Sequence, residues 1–136
     1  LNSAATNGNP FASSDYVRHK QELVDTGLEI HEYIGKISYH GKSIAIDDRL
    51  AIVGSFNMDM RSTYLDTELM LVIDSPEVTQ ALKASMDALD AQAAVVADAE
   101  HYRSLPNGMA EPSLSTGKQV VQFFTGWALE LGRFLL

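Results

Sequence analysis

The chain has 136 residues, 46% of them apolar and 21% charged, with a net charge of -8 and no cysteine. That length fits one domain with a sizeable core. The missing thiols exclude disulfides and thiolate metal sites, and the acidic balance disfavours a broad nucleic-acid surface, which relies on clustered Lys and Arg. No apolar run reaches the roughly 18 residues of a spanning helix, and no basic start leads into an apolar signal-peptide stretch. The chain opens on Leu1 in a polar stretch and closes on Phe134-Leu135-Leu136. Both ends read as cut, which predicts a piece of a longer protein.

Asn2 to Ser14 is rich in Asn, Ser, Ala and Gly and predicts a loop. Ser14 is placed to cap a helix that runs to about Thr26, with Gly27 as its stop. Leu28 to Tyr33 alternates like a strand, and Ile34-Gly35-Lys36 reads as a turn. Ile37 to Ile46 and Leu50 to Phe56 are β-rich runs around an Asp-Asp-Arg break. Glu68 to Ile73 predicts a buried strand. Ser75-Pro76-Glu77 combines a cap, a Pro at the first helical position and an acid in the first turn. Val78, Leu82, Ser85, Met86, Leu89 and Ala93 continue one face of that helix. Leu105 to Gly108 marks a loop, and Val120 to Leu135 is a second helical pattern. The division expected is a domain over residues 1–110 and an apolar helical segment over 111–136.

The stretch ISYHGKSIAIDDRLAIVGSFNMDMR carries the chemistry. Residues two apart on a strand share a face, so His40 pairs with Lys42 and Ser55 with Asn57. A hairpin turning on Asp48-Arg49 would set Lys42 opposite Ser55 and His40 opposite Asn57. Four polar groups then form one patch. A full positive charge and two neutral donors around an imidazole suit a tetrahedral anion, most simply a phosphoryl group. A neutral imidazole can attack phosphorus while the donors stabilise the equatorial oxygens. Glu68, at the start of an apolar strand, is placed to hold the other imidazole nitrogen. Asp47 reads as a turn residue and Gly54 as a site of close backbone approach. Asp59 and Arg61 read either as an ion pair or as pocket walls. His19, His31 and His101 lack such context and read as ordinary surface or partly buried residues.

These residues resemble the phospholipase D superfamily. Its signature runs H-x-K, four residues, D, six residues, then G-S-x-N. His40-Gly41-Lys42, Asp47 and Gly54-Ser55-Phe56-Asn57 match every spacing, and Glu68 matches an acid expected eleven residues after the Asn. Leu1-Asn2-Ser3, Asn57 to Ser62, Thr67-Glu68 and Ile73-Asp74-Ser75-Pro76 look like the cardiolipin-synthase branch. The resemblance covers roughly residues 1–90.

The resemblance implies an α/β fold, a mixed sheet flanked by helices on both faces, paired about a twofold or pseudo-twofold axis. It implies phosphatidyl transfer between phospholipids such as phosphatidylglycerol through a phosphohistidine, with no metal or other cofactor. Lys42 and Asn57 would bind phosphate oxygens, Ser55 would support them, and Glu68 would orient His40. By the family's pattern the first-half histidine attacks, so His40 would be the general acid and base. One H-x-K motif is half a site. The expected partner is a missing N-terminal half with the first motif, or a second copy of this chain. The resemblance also implies a bacterial-type, cytoplasmic membrane-associated enzyme. Alternatives are a nuclease or hydrolytic phospholipase of the same superfamily, and a non-catalytic assembly domain. Val120, Phe123, Phe124, Trp127, Leu131 and Leu135 form an apolar stripe expected to pack on this or another domain, with a membrane surface as the other reading.

Overall fold

The computed structural model describes residues 1–7 and 9–130. In chain order it contains α1 (Pro10–Asp25), β1 (His31–Tyr33), β2 (Ser43–Ile46), β3 (Leu50–Gly54), α2 (Met60–Tyr64), β4 (Met70–Asp74), α3 (Pro76–Asp90), β5 (Ala93–Val96), β6 (Tyr102–Ser104) and α4 (Thr116–Glu130). The chain is α/β, as its sequence predicts. Its strands form two antiparallel three-stranded sheets, β1-β5-β6 and β2-β3-β4, in place of a single mixed sheet. The described residues divide into two compact units, 1–39 with 89–130, and His40–Ala88.

In the first unit α1 starts one turn before the predicted Ser14 cap. The Asn9 carbonyl accepts from the Ser13 N–H at 3.2 Å, and Pro10 suits the first helical position because it has no N–H to satisfy. Gly27, at φ 84°, ends the helix as expected. The residues after α3 are strand rather than the predicted helix continuation. Ala93-Ala94-Val95-Val96 is a short apolar run, which periodicity alone cannot assign. Strand β5 pairs with β1 (His31 opposite Val95) and with β6. The first residues add a parallel edge: Tyr33 N–H donates to Leu1 O at 2.7 Å and Ser3 N–H to Tyr33 O at 2.9 Å.

Helix α4 packs on α1, with Ser14 Oγ and Thr125 Oγ1 at 2.8 Å and Lys118 Nζ donating to Ala5 O at 2.7 Å. The predicted packing stripe is not the face that meets α1. Val120, Phe123 and Phe124 are 51%, 74% and 64% exposed. The Trp127 side chain, Leu131 and Leu135 lie outside the described residues. Among the described residues no helix is long and apolar enough to cross a membrane.

The centre of this unit is charged. Glu32 is 2% exposed and Lys20 5%. Glu32 Oε1 accepts from Tyr16 Oη at 2.7 Å and pairs with Lys20 Nζ at 2.8 Å, while Oε2 accepts from Tyr102 Oη at 2.6 Å. Lys20 Nζ also lies 4.7 Å from the centre of the Tyr102 ring. A buried carboxylate persists only when its lone pairs are satisfied, and here α1, β1 and β6 each supply part of the cluster. Burial, reinforced by the Glu32 bonds, pushes both phenols above their ordinary value. Ile30, Ala94 and Val96 are buried in the same unit.

Glu32→Gln leaves Lys20 buried without its counter-charge and should destabilise the protein by about 3–5 kcal/mol. Pairing that change with Lys20→Met should recover part of the loss, measured by urea unfolding of the two variants.

At the edge of the same unit His31 bridges two carboxylates, with Nε2 on Glu29 at 2.9 Å and Nδ1 on Asp90. The Glu29 bond chiefly, with the Asp90 bond and the charges of both, raises its pKa against partial desolvation. A raised folded value gives stabilisation that is full below the unfolded value of about 6.5 and is lost as pH rises through the folded one. His31→Gln should therefore lower Tm at about pH 5.5 and change it little at about pH 9, a difference that thermal scans at the two pH values would show.

Candidate functional site

The second unit carries every residue of the predicted patch, and its hairpin is one residue out of the predicted register. Ile46 pairs with Leu50 and Ser43 with Val53, so the loop is Asp47-Asp48-Arg49 rather than Asp48-Arg49 alone. Asp47 takes φ 52°, a left-handed conformation that Asp tolerates, and the Arg49 N–H closes the turn on Ile46 O at 3.4 Å. Without a Gly to supply two positive φ values, the turn closes one residue early. It is held from outside by Arg49, which donates to both Asp74 oxygens at 2.6 and 2.7 Å, and by Asp48 paired with Lys83 at 2.6 Å.

A one-residue slip moves every side chain to the opposite face. The predicted pairings of Lys42 with Ser55 and of His40 with Asn57 are therefore not formed. Lys42 instead stands opposite Gly54, whose N–H donates to Lys42 O at 3.2 Å. His40 and Lys42 precede the regular strand, which begins at Ser43, so strand parity does not govern them.

The side chains still meet in pairs. Lys42 Nζ donates to His40 Nε2 at 2.9 Å and to His40 O at 3.4 Å. Ser55 Oγ donates to Glu68 Oε2 and accepts from the Leu69 N–H at 3.1 Å. The Ser55 bond first, then Ser62 and the Lys42 charge, hold the Glu68 carboxyl below its usual range. Glu68 is thus a firm anion within electrostatic reach of Lys42. Among the described residues no hydrogen bond joins it to His40, so the predicted orienting contact is replaced by Ser55 and Ser62. Asn57 is anchored by its N–H on Ser62 Oγ at 3.3 Å.

Sequence reasoning missed what supports this loop. Asp59 caps α2, with its carboxylate accepting from the Ser62 N–H at 2.7 Å, and Arg61 pairs with Asp66 at 2.8 Å. Of the two readings for Asp59 and Arg61, the ion pair between them is not formed. An Asp at the head of a short helical stretch was the available signal. Gly54 is required by space, as expected. A Cβ there would overlap the Leu69 carbonyl oxygen and Met70 Sδ where β3 runs beside β4. A separate cavity of about 470 Å³, lined in part by Tyr33, Lys36, Ile37 and Met109, contains none of the patch residues.

An H-x-K, D, G-S-x-N set with its acid, carried by an α/β unit, can be compared with known proteins. Residues 2–89 match the family model described as cardiolipin synthase, PLD-like domain. The chain belongs to this family. Cardiolipin synthase A of Yersinia pseudotuberculosis is 35% identical over 85 residues, covering 62% of this chain and 17% of that protein. An uncharacterized protein of Helicobacter pylori is 33% identical over 82 residues, covering 51% of this chain and 16% of its own length. The PLD-like chain thus spans about a sixth of these curated relatives. The crystal structure of phosphatidylserine synthase from Haemophilus influenzae superposes on 99% of this chain and 34% of its own, with TM-score 0.61 and 16% identity, which shows a shared fold.

Gly54→Ala should cost about 1–3 kcal/mol, because the backbone of β3 or β4 must shift to admit the methyl group. Urea unfolding would measure that loss against the exposed Gly108→Ala, which meets no neighbour but carries φ 76°.

Proposed function

We propose that this PLD-like domain is one catalytic half of a phosphatidyltransferase that moves a phosphatidyl group from one phospholipid to the alcohol of another, as in cardiolipin synthesis. The observation that carries the reading is the Lys42 ammonium 2.9 Å from His40 Nε2 inside a complete H-x-K, D, G-S-x-N set. A phosphodiester entering the patch competes for the Lys42 donors. Its oxygens take the ammonium and the Asn57 amide, and Lys42 leaves His40 Nε2, which is then free to pass a proton to and from the alcohols. Ser55, held by the Glu68 anion, keeps the β3 end in place beneath them.

The reaction needs two imidazoles. One attacks phosphorus, forming an N–P bond as the P–O bond to the leaving alcohol breaks. The other gives that alcohol its proton, then takes the proton of the incoming alcohol as it displaces the histidine. His40 supplies the acid and base role, and the attacking histidine comes from the other half of the active site, outside this chain. That half is an upstream domain with its own motif or a second copy. A phospholipid with one phosphodiester charge and apolar tails suits the acidic balance of the chain better than a polyanionic nucleic acid.

The intact protein incubated with labelled phosphatidylglycerol should form cardiolipin and glycerol, and His40→Asn should reduce that rate by roughly 10²–10⁴-fold. Cleavage of DNA without cardiolipin formation would sink the assignment, and full turnover by the His40 variant would remove His40 from the mechanism.

A further inference from the structure

We infer that Asn2 is a positioning residue for His40, an inference that rests on the catalytic role proposed above. Asn2 lies 37 residues upstream of Tyr39 and reaches it with both ends of its amide. Oδ1 accepts from the Tyr39 N–H at 2.9 Å, and Nδ2 donates to the Tyr39 carbonyl oxygen at 2.6 Å. That carbonyl belongs to the peptide bond whose nitrogen is His40's. A peptide unit is planar, from one Cα to the next. Holding the oxygen and the preceding N–H therefore fixes the plane from which the His40 Cα departs.

The stretch being held has no other regular support. Residues 38–42 lie between the bend at 35–37 and the start of β2 at Ser43, and they belong to no strand. Asn2 itself is well anchored. It forms the parallel bridge to Tyr33, between the Tyr33 N–H bond to Leu1 O and the Ser3 N–H bond to Tyr33 O. The edge of the β1 sheet thus serves as a fixed point from which one side chain reaches the peptide before the histidine.

The side chain is also chemically specific. Asn has a donor and an acceptor on one planar group, matched here to a carbonyl and an N–H of one residue. Asp keeps the acceptor and sets a negative oxygen against the carbonyl, and Leu of similar volume keeps neither. Reacting groups need alignment within fractions of an ångström, so loss of the clamp acts on the chemical step more than on binding.

The test uses the intact protein with monomeric short-chain phosphatidylglycerol as substrate. Asn2→Leu should lower kcat by about 10- to 100-fold with KM changed less than about twofold. Asn2→Asp should retain the fold, with Tm within a few degrees of wild type, and still lose about tenfold in kcat. Wild-type kcat in Asn2→Asp overturns the inference, as does a Leu variant whose loss lies in KM. If His40→Asn keeps full activity, the functional reading fails. If that variant is dead and Asn2→Asp is not, the clamp alone fails.

Discussion

The left-handed Asp47 constrains everything around the patch. By taking φ 52° it lets the chain reverse at Ile46 and return at Leu50. From that turn the pairing of β2 with β3 follows, and from β3 the pairing with β4, ending with Gly54 against Met70. Glu68 enters beside Ser55 because β4 runs antiparallel to β3 in this register. A turn one residue shorter would present the opposite faces of β2 to β3. The pairs of exposed ions around the turn add little individual stability, and their contribution is to hold one loop geometry.

The two halves of the patch are held by different means. Ser55 and Glu68 sit on a sheet end and in the strand approach, where ladder bonds fix the backbone. His40 and Lys42 sit on irregular chain. Their order comes from the Lys42–His40 contact itself and from the backbone bonds on either side, Tyr39 on Asn2 and Lys42 O on Gly54. Side chains on irregular backbone need such local clamps because no ladder carries them.

Among the described residues, the first unit places a buried charge at its centre. Glu32 has its oxygens occupied by two phenols and an ammonium from α1 and β6, so its desolvation is compensated. This specifies how α1 lies on the strands more narrowly than apolar contact would, since each bond has a direction.

The spacing of His40, Lys42, Asp47, Gly54, Ser55, Asn57 and Glu68 was enough to point to the family that residues 2–89 match, because a motif records which groups stand at which distance along the chain. Sequence also determined the caps at Gly27 and Ser75-Pro76, where single residues have strong local preferences. Three things were decided only in the fold. The hairpin register was one, because a turn without glycine has several closures close in energy and its outer ion pairs come from β4 and α3. The strand at Ala93–Val96 was another, because four apolar residues carry no period and take the structure their partners offer. The last was the partner of each polar group. Glu68 meets Ser55 and Ser62, Asp59 caps α2, and Asn2 holds Tyr39, because hydrogen bonds across tens of residues depend on backbone positions that no local pattern encodes.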